Sequence, residues 1–368
     1  MALNWQPERW LCAGALAALG ACGPAAPAAP SAPAPAAASP AQPASAPGGT
    51  AQPAAAPPAS LTTVRLAVPT LDLDYTLPLS VAERRGYLRE AGIDLQVHEM
   101  PSASQTAALI NRELDLGCSG CVFVGAGRGA DVRYLFGPYY TSNFHMVVST
   151  ERVRTPTDLA GQPIAIGGVG NSGELATRSI LTSLGVDPTS VTYVNLGPSS
   201  ARIAGMLSGQ IAGTALLPDP AIRLQREGYP IVGNSTKLFV QPQGGFGAHV
   251  DYIREQNASV KGWLRAMLRG LQFIQQDTAA AAEIAADATQ TDPEIVREAV
   301  PLVMAAMSTG DLGGSTEREL QDTMQLITDN DPELKGKEFP LDRVVDFRPL
   351  REVQRELGIS CQGGYQCS

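Results

Sequence analysis

Four short stretches of this chain combine backbone and side chains suited to holding a small polar molecule. The first is Gly167-Gly168-Val169-Gly170-Asn171-Ser172-Gly173-Glu174, between a strand-like and a helix-like run. Glycine lets a backbone approach a ligand closely, and the free N–H groups at a helix start favour anionic or acceptor groups. Gly170, Asn171, Ser172 and Gly173 are therefore the leading ligand contacts. Ser172 with Glu174 also suits helix capping, which is compatible with ligand contact. No Lys-Ser/Thr pair follows, so a nucleotide phosphate loop is excluded. The second stretch is Cys118-Ser119-Gly120-Cys121, whose N–H groups and hydroxyl at Ser119, Gly120 and Cys121 can hold a carboxylate or sulfonate. Its CxxC spacing also fits a local disulfide, two free thiols or a metal half-site. A single CxxC does not complete a tetrahedral zinc site. The third, Thr70 to Tyr75, offers Asp72 and Asp74 to an amine or cationic ring, with Tyr75 stacking on it. The fourth is Leu217-Pro218-Asp219-Pro220, where the prolines stiffen the loop and Asp219 accepts from a ligand donor or caps a helix.

Tyr139, Tyr140 and Asn143 fall where the chain passes from one α/β unit to the next, and the aromatic pair suits an organic ligand or a core. Phe246, with Gln243 before it, marks a second passage. His98, His145 and His249 are scattered, so neither a catalytic triad nor a metal cluster is expected. No catalytic residue, cofactor or metal is expected. The net charge of −9 and 5% aromatic content argue against a nucleic-acid partner.

These loops need strands and helices to hold them. Val64 to Val68, Ile93 to Val97, Asp115 to Gly117 and Val132 to Phe136 read as strands. Helical patterns lie between them, at Pro78 to Ala91, Ser104 to Leu114 and Cys121 to Gly129. The alternation restarts at Phe144 and runs to Ile231-Val232. Helical patterns then dominate from Asp251 to Thr328. The order predicts an α/β fold of mostly parallel sheets, with a helical C-terminal section completing the first unit. Cys361 and Cys367 flank a Gly-Gly turn and are expected to pair in a disulfide.

The N-terminus reads as an export and anchoring signal. Arg9 precedes the apolar run Trp10 to Ala21, too short to span a bilayer. The run ends in Leu19-Gly20-Ala21-Cys22, which resembles the bacterial lipobox, so Cys22 is expected to be lipidated. No charged residue occurs from Gly23 to Val64, where Ala, Pro and Ser dominate; such a stretch suits a tether.

Several ordered motifs resemble one family. Val81-Ala82-Glu83-Arg84-Arg85-Gly86-Tyr87 followed by Glu90-Ala91-Gly92-Ile93-Asp94-Leu95 is similar to its opening. Leu114-Asp115-Leu116-Gly117, Asp158-Leu159-Ala160-Gly161-Gln162-Pro163-Ile164-Ala165, Leu181 to Pro188, and Ser208-Gly209-Gln210-Ile211-Ala212-Gly213 follow in the family's order. The family is the substrate-binding proteins of ABC importers for nitrate, sulfonates, taurine and thiamine-pyrimidine precursors. This chain departs from it at Ile211-Ala212-Gly213, where an acidic position is lost, and in the tail from Asp342.

The resemblance implies a two-lobed periplasmic-binding-protein fold (type II). It divides the chain into a signal peptide (1–21), a lipidated Cys and tether (22–61), lobe one (62–143 plus 246–341), lobe two (144–245) and a tail (342–368). It implies a monomer held to a bacterial membrane, in the periplasm or at the cell surface, by lipid alone. Closure of the lobes would capture a small organic solute (a sulfonate, aromatic acid, pyrimidine or amine) for an ABC permease and ATPase. Two alternatives share the fold. One is an enzyme resembling the thiamine-pyrimidine synthases, which need a lysine for pyridoxal phosphate; none of Lys237, Lys261, Lys335 and Lys337 lies in the first strand–helix alternation, Val64 to Phe136. The other is a sensor feeding a membrane receptor.

Overall fold

Alternation of buried and part-exposed residues sets up the first parallel pair. The structure, a computed structural model, describes residues 61–238, 240–308 and 310–367. Cys22, the export signal and the tether lie outside the described residues. Strand β1 (Thr62–Val68) buries Val64, Leu66 and Val68, and β2 (Ile93–Glu99) buries Ile93, Leu95 and Val97. They pair in parallel from Thr62 opposite Ile93 to Val68 opposite Glu99. Helices α1 (Leu73–Arg84) and α2 (Tyr87–Glu90) make the connection. Then come α3 (Ser102–Ile110), β3 (Gly117–Cys118), α4 (Ser119–Gly127) and β4 (Val132–Phe136).

The second unit runs β5 (His145–Val148), β6 (Pro163–Ile166), α5 (Ser172–Ser183), β7 (Thr192–Asn195), α6 (Ser199–Leu207), β8 (Gly213–Leu216), α7 (Pro218–Arg226) and β9 (Ile231–Asn234). The chain returns through β10 (Phe246–His249) to the helices α8 (Val250–Glu255), α9 (Asn257–Gln276), α10 (Thr278–Thr289), α11 (Pro293–Ala305), α12 (Glu317–Asn330) and α13 (Arg348–Glu356).

Both sheets follow one plan. The second has the order β7-β6-β8-β5-β9. In the first, a parallel bridge from Leu66 to Leu116 sets the β1–β2 pair beside the β3-β10-β4 sheet. Each sheet thus holds one strand that has crossed from the other unit. Such a strand enters from the opposite end, so β5 and β10 are antiparallel to their neighbours. The remaining pairs are parallel, and the α/β class expected from the sequence is the one observed. The crossing segments also pair with each other, through an antiparallel bridge between Tyr139 and Gln243.

Helix α1 begins earlier than the sequence pattern suggests. Pro78 looks like a helix start, yet it lies inside α1, which opens at Leu73 with Asp72 in extended backbone. A proline inside a helix has no N–H for the carbonyl four residues back, here that of Asp74. Gly244 packs against that carbonyl at φ +64°, where an added Cβ would lie 2.3 Å from the oxygen. Asp74 and Tyr75 are consequently helical residues and not part of an open loop.

Helix α9 anchors the first unit. It buries Trp263, Leu264, Met267, Leu268 and Leu271, and Trp263 meets Phe136 and Phe246 edge-on. The tail packs onto the same unit. Val344, Phe347, Leu350 and Val353 are buried, the Tyr134 N–H donates to the Val344 carbonyl, and Cys361 and Cys367 form a disulfide. Among the described residues no helix is long and apolar enough to cross a membrane.

Candidate functional site

Helix starts from both sheet-bearing halves open on one cleft of about 1070 Å³. From the first half come Cys118, Gly120 and Cys121, at the head of α4. From the second come Asn171, Ser172 and Gly173 of α5, Pro198 of α6 and Leu217 of α7. Each follows the carboxyl end of a strand, the usual site for ligands in sheets of this kind. The first turn of such a helix leaves N–H groups free for a ligand acceptor.

The glycine-rich stretch lines the cleft through Gly170, Asn171, Ser172 and Gly173. Part of its polar capacity is used locally. Asn171 Oδ1 accepts from the Glu174 N–H at 2.9 Å, and Glu174 Oε2 accepts from the Gly170 N–H at 2.6 Å. Arg178 closes the arrangement by donating to Glu174 Oε1 at 2.7 Å. Capping and cleft lining therefore coexist in one segment.

The acidic stretch divides. Tyr75 lines the cleft, and its hydroxyl accepts from Gln243 Nε2 at 3.1 Å. Asp72 and Asp74 lie behind the wall, buried. Asp72 Oδ2 accepts from Ser199 Oγ at 2.5 Å, and Asp219 Oδ1 accepts from the Leu73 N–H at 3.2 Å. These two contacts join the halves. Burial raises the Asp72 carboxyl above its ordinary range and pushes Asp219 well above it, with Asp72 adding to the effect at Asp219. Among the described residues Asp74 has no hydrogen-bond partner on either carboxyl oxygen. Burial, with Asp72 nearby, pushes it up to about 8. Acids so placed serve the junction between halves; none of the three lines the cleft.

Other expected contacts also lie outside the lining. Ser119 is buried, its hydroxyl donating to the Pro242 carbonyl at 3.3 Å. Tyr139 is wholly buried in the crossing. The Tyr140 N–H donates to the Ala306 carbonyl, and Asn143 bonds the Leu302 carbonyl and the Thr236 hydroxyl. Phe246 is core, packed edge-on against Tyr75 and Trp263. Pro218 opens α7 behind Leu217. Packing at the crossing takes up Tyr139 and Asn143. The CxxC thiols are both free and buried.

Arg202 is a cleft residue that sequence reasoning missed. It is 5% exposed, lines the cleft, and donates to the Ala215 carbonyl at 2.6 Å and Ser199 Oγ at 3.0 Å, leaving Nε unpartnered among the described residues. Burial lowers its pKa to about 10, against the stabilising pull of Asp72, so it stays cationic near neutrality. Gln241, 3% exposed, also lines the cleft, with its Oε1 unpartnered among the described residues. A signal for Arg202 existed: Pro198-Ser199-Ser200-Ala201-Arg202 is a further strand-to-helix turn of the kind that marked the other loops.

With this geometry in place, the chain can be set beside known proteins. Residues 74–281, over half the chain, match the family described as NMT1/THI5 like. No curated protein matches the chain. Among solved structures, the alkanesulfonate-binding protein SsuA from Xanthomonas axonopodis pv. citri, bound to MOPS, has a TM-score of 0.62 at 20% identity, over 79% of this chain and 97% of that one. A ligand-binding component of an ABC-type import system from Staphylococcus aureus, with zinc bound, has a TM-score of 0.66 at 11% identity, over 80% and 99%. The desulfurization enzyme DszB has a TM-score of 0.57 at 14% identity, again over 80% and 99%. At such identities the likeness is one of fold, and the fold is that of the periplasmic binding proteins.

Proposed function

The chain belongs to the NMT1/THI5-like family, and from that premise we propose that it is the solute-binding component of an ABC importer, held outside the cytoplasm by lipid at Cys22. Its ligand is a small organic anion of the sulfonate or carboxylate kind. One observation carries this reading: four helix starts, from both halves, open on a cleft that also holds the buried Arg202 guanidinium with a free Nε donor. A permanent cation and free backbone N–H groups together recognise an anionic head. The SsuA relative, described as alkanesulfonate-binding, supports the same ligand class. A synthase-like enzyme would need a lysine in the cleft, and none of Lys237, Lys261, Lys335 or Lys337 is among its described lining residues.

The test is a thermal-shift screen of the purified protein over alkanesulfonates, aromatic acids, pyrimidines and amines. A ligand that binds only the native state raises the melting temperature with concentration. Sulfonates or carboxylates should give the shift, and Ser172→Trp should abolish it without lowering the melting temperature of the free protein. A panel without a single anionic hit, or a response to amines alone, sinks the proposal.

A further inference from the structure

Cys118 and Cys121 stand on the cleft wall, and ligand capture does not require their sulfur. Cys118 caps the nine-residue helix α4 in extended backbone (φ −63°, ψ 154°), and Cys121 follows within the first turn. Both thiols are free and no more than 2% exposed, yet both residues line the cleft. Cys121 Sγ lies 2.8 Å from the Cys118 carbonyl oxygen, and Cys118 Sγ lies 3.6 Å from Ser102 Oγ. The two thiols differ in character. A hydrogen bond from the Cys121 thiol is the main influence holding Cys118 below the ordinary thiol value, while burial pushes Cys121 well above it. A sulfur at a helix start, with a donor beside it, has the character of a nucleophile. Its neighbour, protonated and in reach, has that of a resolving thiol.

A second feature points to a ligand at the same place. Gln241 is part of the same cleft, and its Oε1 is buried and without a partner among the described residues. The bond from Ser119, which lies between the two cysteines, to the Pro242 carbonyl ties the Gln241 segment to the head of α4. An acceptor left without a donor in a buried setting is destabilising until a ligand supplies an N–H.

We propose that Cys118 and Cys121 form a thiol–disulfide exchange site that takes a low-molecular-weight disulfide bearing amide or amine N–H groups. The Cys118 thiolate attacks one sulfur of the disulfide RS–SR. A Cys118–S–S–R bond forms, the RS–SR bond breaks, and the departing RS⁻ takes up the proton that Cys118 released. Cys121 then gives its proton to the second leaving RS⁻ and attacks the Cys118 sulfur. The products are the Cys118–Cys121 disulfide and two RSH. Two electrons pass from the protein dithiol to the small disulfide, and no other oxidant is needed. With both residues on the cleft wall and no more than 2% exposed, the site suits a small molecule and not a protein redox partner. It does not depend on which solute the cleft carries.

The experiment incubates the purified protein with glutathione disulfide, quenches with acid and maps peptides by mass spectrometry. Both thiols fall in the tryptic peptide Glu113 to Arg128, which separates them from every other cysteine. The wild type should lose two hydrogens in that peptide. Cys121→Ser should accumulate a glutathione adduct on Cys118, and Cys118→Ser should leave Cys121 unmodified. Should Cys121→Ser fail to fold, the wild-type mapping still decides. A native wild type that stays reduced while the urea-unfolded protein reacts overturns the proposal. Faster adduct formation on Cys121 in Cys118→Ser than on Cys118 in Cys121→Ser also overturns it.

Discussion

Ser199 Oγ donates to Asp72 Oδ2 across 2.5 Å, joining the first turn of α6 to the N-cap of α1. Both residues are buried, and the bond runs between the two sheet-bearing halves. Ser199 is also a relay, because Arg202 Nη2 donates to the same hydroxyl at 3.0 Å. Removing the hydroxyl leaves a buried carboxyl and a buried guanidinium each short of one partner. Ser199→Ala should therefore destabilise the protein by about 1–3 kcal/mol in urea unfolding near neutral pH. The exposed neighbour is the control: Ser200→Ala should change stability by less than about 0.5 kcal/mol. Equal effects at the two positions would show that the bond contributes nothing.

Asp74 predicts a pH dependence of definite sign. Its carboxyl is pushed up to about 8 in the folded chain, from an ordinary value of 3.8, mainly by burial. The folded state therefore holds a proton that the unfolded state has released. This contribution is fully present below 3.8 and is lost as the pH rises through about 8. The slope between those values is at most about 1.4 kcal/mol per pH unit. Asp72 and Asp219 are also raised, so the wild-type curve alone is not diagnostic. Asp74→Asn copies the neutral form and should flatten the fall in unfolding free energy between about pH 5 and 8. Parallel curves for variant and wild type would mean that Asp74 does not hold that proton.

Much of this architecture is legible in the residue pattern, and the exceptions share one cause. The strands at Val64, Ile93 and Val132 and the helix starts at Cys118 and Ser172 follow from local alternation and turn chemistry, and Ser172 lies on the cleft. Tyr139, Asn143 and Phe246 depend on what the returning segment packs against, and each is taken up by the crossing or the core. Arg202 is the converse. A basic residue on a helix reads as solvated, but the tertiary fold brings the Ala215 carbonyl and the charge of Asp72 to a guanidinium that already bonds Ser199 of its own helix, and holds it buried. Pro78 misleads for a local reason, since a proline six positions into a helix mimics a first turn.

Arg351 makes the last prediction, in the tail that the family resemblance does not reach. Its guanidinium meets Asp311 in a two-point ion pair at 2.5 and 2.7 Å, with both side chains no more than 3% exposed. The same group donates to the Tyr365 carbonyl at 2.6 Å, and Gln354 Nε2 donates to Asp311 Oδ1 at 2.9 Å. The pair thus ties α13 and the disulfide-closed end to the loop before α12. Breaking a buried pair from one side strands the other charge, which costs about 3–5 kcal/mol. Arg351→Met should lose that much stability in urea unfolding. The exposed pair Arg318–Asp322 offers the contrast, because Arg318→Ala should cost no more than about 0.5 kcal/mol. A loss below about 1 kcal/mol for Arg351→Met would mean that the tail is held by its apolar residues Val344, Phe347 and Leu350, with the ion pair secondary.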